Sequence, residues 1–191
     1  MLKDYPVTFV SLEDYADAPD VVEDGRTFLE NGLKKAKTFA EFTGEPVLAD
    51  DSGLMVDYLE GRPGVYSSRY AGETATDEDN IRKLLKEMEY VPREERGASF
   101  VCVLVLYMPD GRYEFFEGRW RGLIHDRAIG DNGFGYDPVF YLPDREITVA
   151  QMSQDEKNAV SHRARAFDQF ARYLQHKKQF LDNAAVRGDI I

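Results

Sequence analysis

One pattern limits the possible folds of this chain more than any other. The run "GASFVCVLVLYM" is followed by "PDG" and then by "RYEFFEGRWRGLI". Two long β-rich runs around a tight turn are a hairpin signal. Upstream the pattern changes. "TFLENGLKKAKTFAEFTGEP" has apolar residues at helical spacing (Phe28, Leu29, Leu33, Ala36, Phe39, Ala40) and ends at Gly44 and Pro46. "PVLAD" reads as a short buried strand, and "LMVDYL" as another after a Ser-Gly turn. "TDEDNIRKLLKEME" is an amphipathic helix capped by Thr76, with Ile81, Leu84, Leu85 and Met88 on one face. A first strand is expected from Val7 to Leu12. A final helix begins at a Ser153/Glu156 capping box, with a possible break near Lys157, His162 and Arg163 and a later apolar face of Phe167, Phe170 and Leu174. Helices and strands that alternate around a central hairpin predict an α/β protein with a mixed sheet.

Composition narrows the function. With 191 residues the chain suits a single domain, 1–191, of two lobes sharing a core. A net charge of −11 argues against a nucleic-acid polymer as partner, while a small phosphorylated ligand stays possible. The lone Cys102 permits no internal disulfide. No apolar run would span a bilayer, and the first residues do not read as a signal peptide, so the cytoplasm is the expected location.

Several segments could carry chemistry. In "VLADDSGLMVD", Asp50 and Asp51 precede Ser52 and Gly53. Adjacent carboxylates at a strand end suit a hard cation such as Mg2+, or an Asx turn capping the strand. Glu23 and Asp24 either complement a helix N-terminus or add a metal ligand. Asn31 and Lys35 share a helix face, from which Lys35 could reach a phosphate or simply meet solvent. "GDNGFGYDP" lets backbone approach a ligand and offers an aromatic that can stack, or it is a turn entering the strand "PVFYL". Lys157, His162 and Arg163 gather donors suited to keto or phosphate oxygens. Nucleophilic catalysis finds no support: Cys102 lies in an apolar strand and no Gly-x-Ser-x-Gly occurs. The lack of cysteine pairs and of clustered histidines argues against zinc.

Taken in order, "TFLENGLKKA", "LADDSGLMVDYLEGRPGVYSSRYAG", "GFGYDPVF" and "EKNAVSHR" resemble the noncanonical purine nucleoside triphosphate pyrophosphatases, also called inosine or xanthosine triphosphate pyrophosphatases. The resemblance implies a long mixed sheet with helices on both faces and two lobes around a central cleft, as a homodimer. It implies Mg2+-dependent hydrolysis of inosine, deoxyinosine and xanthosine triphosphates to the monophosphate and pyrophosphate. Carried residue by residue, it makes Asp51 the proton acceptor and a metal ligand, with Asp50 and Glu23 beside the metal. Ser52 and Lys35 would contact the substrate. Phe134, Gly135, Tyr136 and Asp137 would hold base and sugar, and Lys157, His162 and Arg163 would surround the base. The family's opening strand and its Ser/Thr-x-Asn-x-x-Lys loop are not found in this chain, where Met1 aligns with the end of the helix that follows them. An impaired, nucleotide-binding or dimerising remnant is therefore one alternative, and a Maf-like nucleotide pyrophosphatase is another.

Overall fold

The computed structural model describes residues 9–187, with side chains defined for 9–177 apart from residue 13. The strand expected over 7–12 lies partly outside the described residues. Its described part is not a strand: Phe9 and Val10 are exposed, and Leu12–Asp14 is a single 3-10 turn.

Helix α1, Phe28–Thr43, starts where the Thr27 hydroxyl accepts the Glu30 N–H. It stops at Gly44, whose φ of 72° is a left-handed cap. Strand β1 runs unbroken over Val47–Val56, so the Ser-Gly turn expected in its middle does not form. Gly53 serves close approach instead. A Cβ there would lie 2.5 Å from Ser67 Oγ and 2.6 Å from Gly64 O, in the short 3-10 segment Gly64–Arg69 that packs on the strand. Helix α2, Asp77–Glu87, starts at the expected Thr76 N-cap, which forms a capping box with Asp79. The hairpin is present as β2, Gly97–Tyr107, and β3, Tyr113–Ile124. Short strands β4, Phe140–Leu142, and β5, Ile147–Thr148, follow. Helix α3, Gln154–Val160, is capped by Ser153 and Glu156, and helix α4, His162–Arg187, starts after the break at Ser161.

The sheet order is β1-β2-β3-β4-β5. Every pairing among the described strands is antiparallel, where a mixed sheet is expected from the alternating pattern. The α/β class with helices on both faces holds. Strand β2 is buried along nearly its whole length because both its faces are covered. Val101, Val103 and Val105 pack with Phe28 and Ala36 of α1. Cys102, Leu104 and Leu106 pack with Phe116 and with Ala166 and Phe170 of α4. The far half of the sheet, with Leu54, Val56, Phe100, Trp120 and Phe140, packs with Ile81 and Leu84 of α2 and with Met88 at its C-cap. Each fully buried aliphatic or aromatic side chain in these layers contributes about 1.5–3 kcal/mol.

One contact sets where α4 begins. Gly118 of β3 lies directly beneath its first turn: a Cβ there would overlap the His162 carbonyl oxygen and lie 2.6 Å from Ala166 N. Both obstacles are backbone, so they cannot move aside as a side chain can. Gly118→Ala should therefore lower stability by ~2–3 kcal/mol through overpacking. Urea unfolding will register this as a lower midpoint at unchanged slope.

Candidate active site

Strand geometry separates the two adjacent aspartates. Successive side chains on a strand point to opposite faces, and β1 is a regular strand through Asp50 and Asp51, which pair with Leu104 and Val103.

On the α1 face, Lys35 Nζ donates to Asp51 Oδ1 at 2.8 Å and to Glu23 Oε1 at 3.1 Å. Three further bonds pin the segment carrying Glu23. Arg69 Nη2 donates to the Glu23 carbonyl at 2.9 Å, Lys34 reaches Asp24 at 2.6 Å, and Asn31 Oδ1 accepts the Gly25 N–H at 2.7 Å. Burial pushes the Asp51 carboxyl above its ordinary value, and Glu23 adds to this, while the Lys35 ammonium opposes it. Burial would depress Lys35, yet its bonds to Asp51 and Glu23 outweigh that and hold it above its ordinary value. Asn31 is fully buried beside Asp51, where its side-chain amide favours the ionised carboxylate.

On the α4 face, Asp50 faces Arg163. Arg163 Nε donates to Oδ2 and Nη2 to Oδ1, both at 3.2 Å. The Ser52 hydroxyl donates to Oδ1 and the Cys102 thiol to Oδ2, each at 3.0 Å. Burial would raise the Asp50 pKa, but the Arg163 charge and these donors bring it below the ordinary carboxylate range. His162 is buried, its ring stacked on Phe100 at 5.0 Å, with Nε2 at 3.4 Å from Arg163 Nη1. Arginine can only donate, so Nε2 accepts and Nδ1 carries the proton. Nδ1 has no partner among the described residues.

The glycine-rich loop adds a third group. Its Phe134 is 59% exposed. Lys157 Nζ lies 4.2 Å from the ring centroid and Arg163 Cζ 5.7 Å. Lys157 also donates to the buried Asp137, which accepts the Phe134 N–H at 3.0 Å. Gly135 N–H donates to Asp77 at 2.6 Å, and the buried Tyr136 donates its hydroxyl to the Ser67 carbonyl at 2.9 Å. Asp137 and Tyr136 are thus engaged in shaping the loop. Beside it, a cavity of about 370 Å³ is lined by Asn132, Gly133, Met152, Ser153 and Lys157.

The expected residues therefore fall into three groups: Glu23, Lys35 and Asp51; Asp50, Ser52, His162 and Arg163; and Phe134 to Asp137 with Lys157. The expected metal trio of Glu23, Asp50 and Asp51 does not assemble, because the pleat turns Asp50 away and Arg163 occupies it. No cluster of three His, Cys, Asp or Glu suited to a metal occurs among the described residues. Asn31, Arg69, Asp77 and Cys102 also shape the site. Only Asn31 had a signal in the sequence, through its shared face with Lys35; the others depend on contacts across elements.

A helix-flanked sheet with a carboxylate–ammonium cluster on one face and a cation-flanked aromatic near the other defines a class of α/β protein equipped for a charged ligand with a planar group. The family follows from comparison. The sequence profile of the Ham1 family matches residues 1–173. A dITP/XTP pyrophosphatase of Geobacter sulfurreducens is 54% identical over 166 residues, covering 87% of this chain and 83% of that protein. Another, from Shouchella clausii, is 50% identical over 156 residues, covering 82% and 79%. Among solved structures, a HAM1 protein from Coxiella burnetii superposes with a TM-score of 0.86 at 43% identity, covering 92% of this chain and 89% of that one. The Staphylococcus aureus Ham1 protein gives 0.83 at 42%, covering 88% and 86%. The chain belongs to the Ham1 family.

Burial, with the neighbouring Arg163 charge, lowers the His162 pKa to about 3. Its folded value lies below the unfolded value of 6.5, so the unfolded chain binds the extra proton. The contribution of neutral His162 to stability is full above about pH 6.5 and is lost progressively as pH falls from there towards 3. Imidazole proton NMR should show no titration of His162 between about pH 8 and 5. The urea midpoint should fall more steeply over that range in the wild type than in His162→Asn.

Proposed function

We propose that the chain hydrolyses deaminated purine nucleoside triphosphates (dITP, ITP and XTP) between the α and β phosphates, giving the monophosphate and pyrophosphate. The observation carrying this reading is the Lys35 ammonium shared by Asp51 and Glu23, in a chain whose similar relatives bear the name dITP/XTP pyrophosphatase. Asp51, its basicity raised by burial, takes the proton of a water that attacks phosphorus. The P–O–P bond breaks and pyrophosphate leaves, its charge met by Lys35. Phe134 stacks on the base between Lys157 and Arg163. A 6-keto oxygen accepts from Arg163 or from the free Nδ1–H of His162, whereas a 6-amino group would confront buried donors with another donor.

The donor chemistry fits Mg2+ at Glu23 and Asp51, two hard carboxylates that already converge on one cation, and does not fit it at Asp50. When bound there, the ion would neutralise phosphate oxygens. The same reading takes the chain as one two-lobed α/β domain around a cleft, working as a homodimer in the cytoplasm. No helix among the described residues is long and apolar enough to cross a membrane. No observation favours an impaired remnant or a Maf-like enzyme.

The purified chain should release pyrophosphate from dITP far faster than from dATP. Asp51→Asn should lower kcat by roughly 10²–10⁴-fold, the usual worth of a general base. Orthophosphate as the product, or equal turnover of dATP, would overturn the reading. Glu23→Gln should raise the Mg2+ concentration needed for half-maximal rate on the order of tenfold, measured by metal titration.

A further inference from the structure

The geometry points to Asp50 as a positioning residue for base recognition: it holds the Arg163 guanidinium in one orientation, through a carboxylate that Ser52 and Cys102 themselves fix. The inference rests on the proposed function, in which Arg163 reads the base.

The bonding pattern separates this role from metal binding. Each Asp50 oxygen has one guanidinium hydrogen bond and one further donor: Nη2 of Arg163 and the Ser52 hydroxyl on Oδ1, Nε of Arg163 and the Cys102 thiol on Oδ2. A fork of two N–H groups on two oxygens fixes the guanidinium plane, which one bond would not. The added donors stop the carboxylate from turning. Cys102 is a dependable donor, because burial and the Asp50 charge both raise its pKa and keep the thiol protonated.

Arg163 needs such a hold. Its side chain is 39% exposed, so without an anchor it could swing into solvent. With Nε, one Nη2 hydrogen and one Nη1 hydrogen engaged by Asp50 and His162, the second hydrogen on each Nη stays available to a ligand beside Phe134. Adjacent residues of β1 thus serve different ends: Asp51 faces the site of chemistry, and Asp50 acts through Arg163 on the choice of base.

The test uses the whole chain with Asp50→Asn, Arg163→Ala and the double variant. Two quantities are read: steady-state hydrolysis of dITP and dATP, and calorimetric binding of inosine monophosphate in a chelator. Asp50→Asn should raise KM for dITP and weaken metal-free inosine monophosphate binding, each on the order of tenfold, with a smaller fall in kcat. In the Arg163→Ala background it should change neither further, since residues that act as one unit are not additive. Cys102→Ala should shift KM the same way by less, and Cys102→Ser, which keeps a donor, should restore it. If Asp50→Asn proves unfolded by circular dichroism, the cysteine pair decides.

The inference is overturned if Asp50→Asn leaves KM and inosine monophosphate binding unchanged. Full additivity with Arg163→Ala overturns it too, as does a raised Mg2+ requirement with metal-free binding intact. A wild type that binds inosine monophosphate but releases no pyrophosphate from dITP would instead sink the proposed function.

Discussion

Two carboxylates side by side on a half-buried strand repel each other and cost desolvation, and the pleat of β1 gives each a different cation. Asp51 meets Lys35 of α1 and Asp50 meets Arg163 of α4. The strand therefore needs both helices, one on each face, and both must present a cation at the same level along it. Removing Lys35 would leave the nearly buried Asp51 uncompensated, which is costlier than losing the partly exposed Arg163 from Asp50. The covered faces of β2 and the small residues of α1 serve this arrangement. Gly32 lies so close to Val105 that a Cβ would be 2.9 Å from its Cγ2, which brings α1 down to the level from which Lys35 reaches Asp51.

The site is held from outside as well. Arg69 binds the Glu23 carbonyl, and Asn31 binds the Gly25 N–H, so the acidic segment hangs from two elements. The glycine-rich loop is tied to the N-terminus of α2 by Asp77 and to the 3-10 segment by Tyr136. Shape is thus set by bonds among protein groups, while Phe134 is exposed and Arg163 keeps free hydrogens beside it. Preorganisation of this kind limits the ordering cost of binding a ligand.

Much of the architecture was legible in the chain. The hairpin, the Thr76 and Ser153 caps and the Gly44 stop are local signals in which a few neighbouring residues settle the backbone. The misreadings have a common cause. Ser52-Gly53 looks like a turn because glycine usually marks one, yet here it makes room for a distant segment packed on the strand. Element order gave the α/β class, which holds, but it does not fix which strands become neighbours, and among the described strands every pairing is antiparallel. Asp50 was grouped with Asp51 on adjacency, although adjacency on a strand means opposite faces.

The sequence by itself determined which residue types are available for chemistry and where the regular elements begin and end, because caps, periodicity and turn chemistry act over a few residues. Only the tertiary structure decided how those residues are divided. Lys35 is 16 positions from Asp51, and Arg163 is 113 from Asp50. No local rule links such distances. The register of β2 and the height at which α1 and α4 cross it do, since packing and charge neutralisation must be satisfied together.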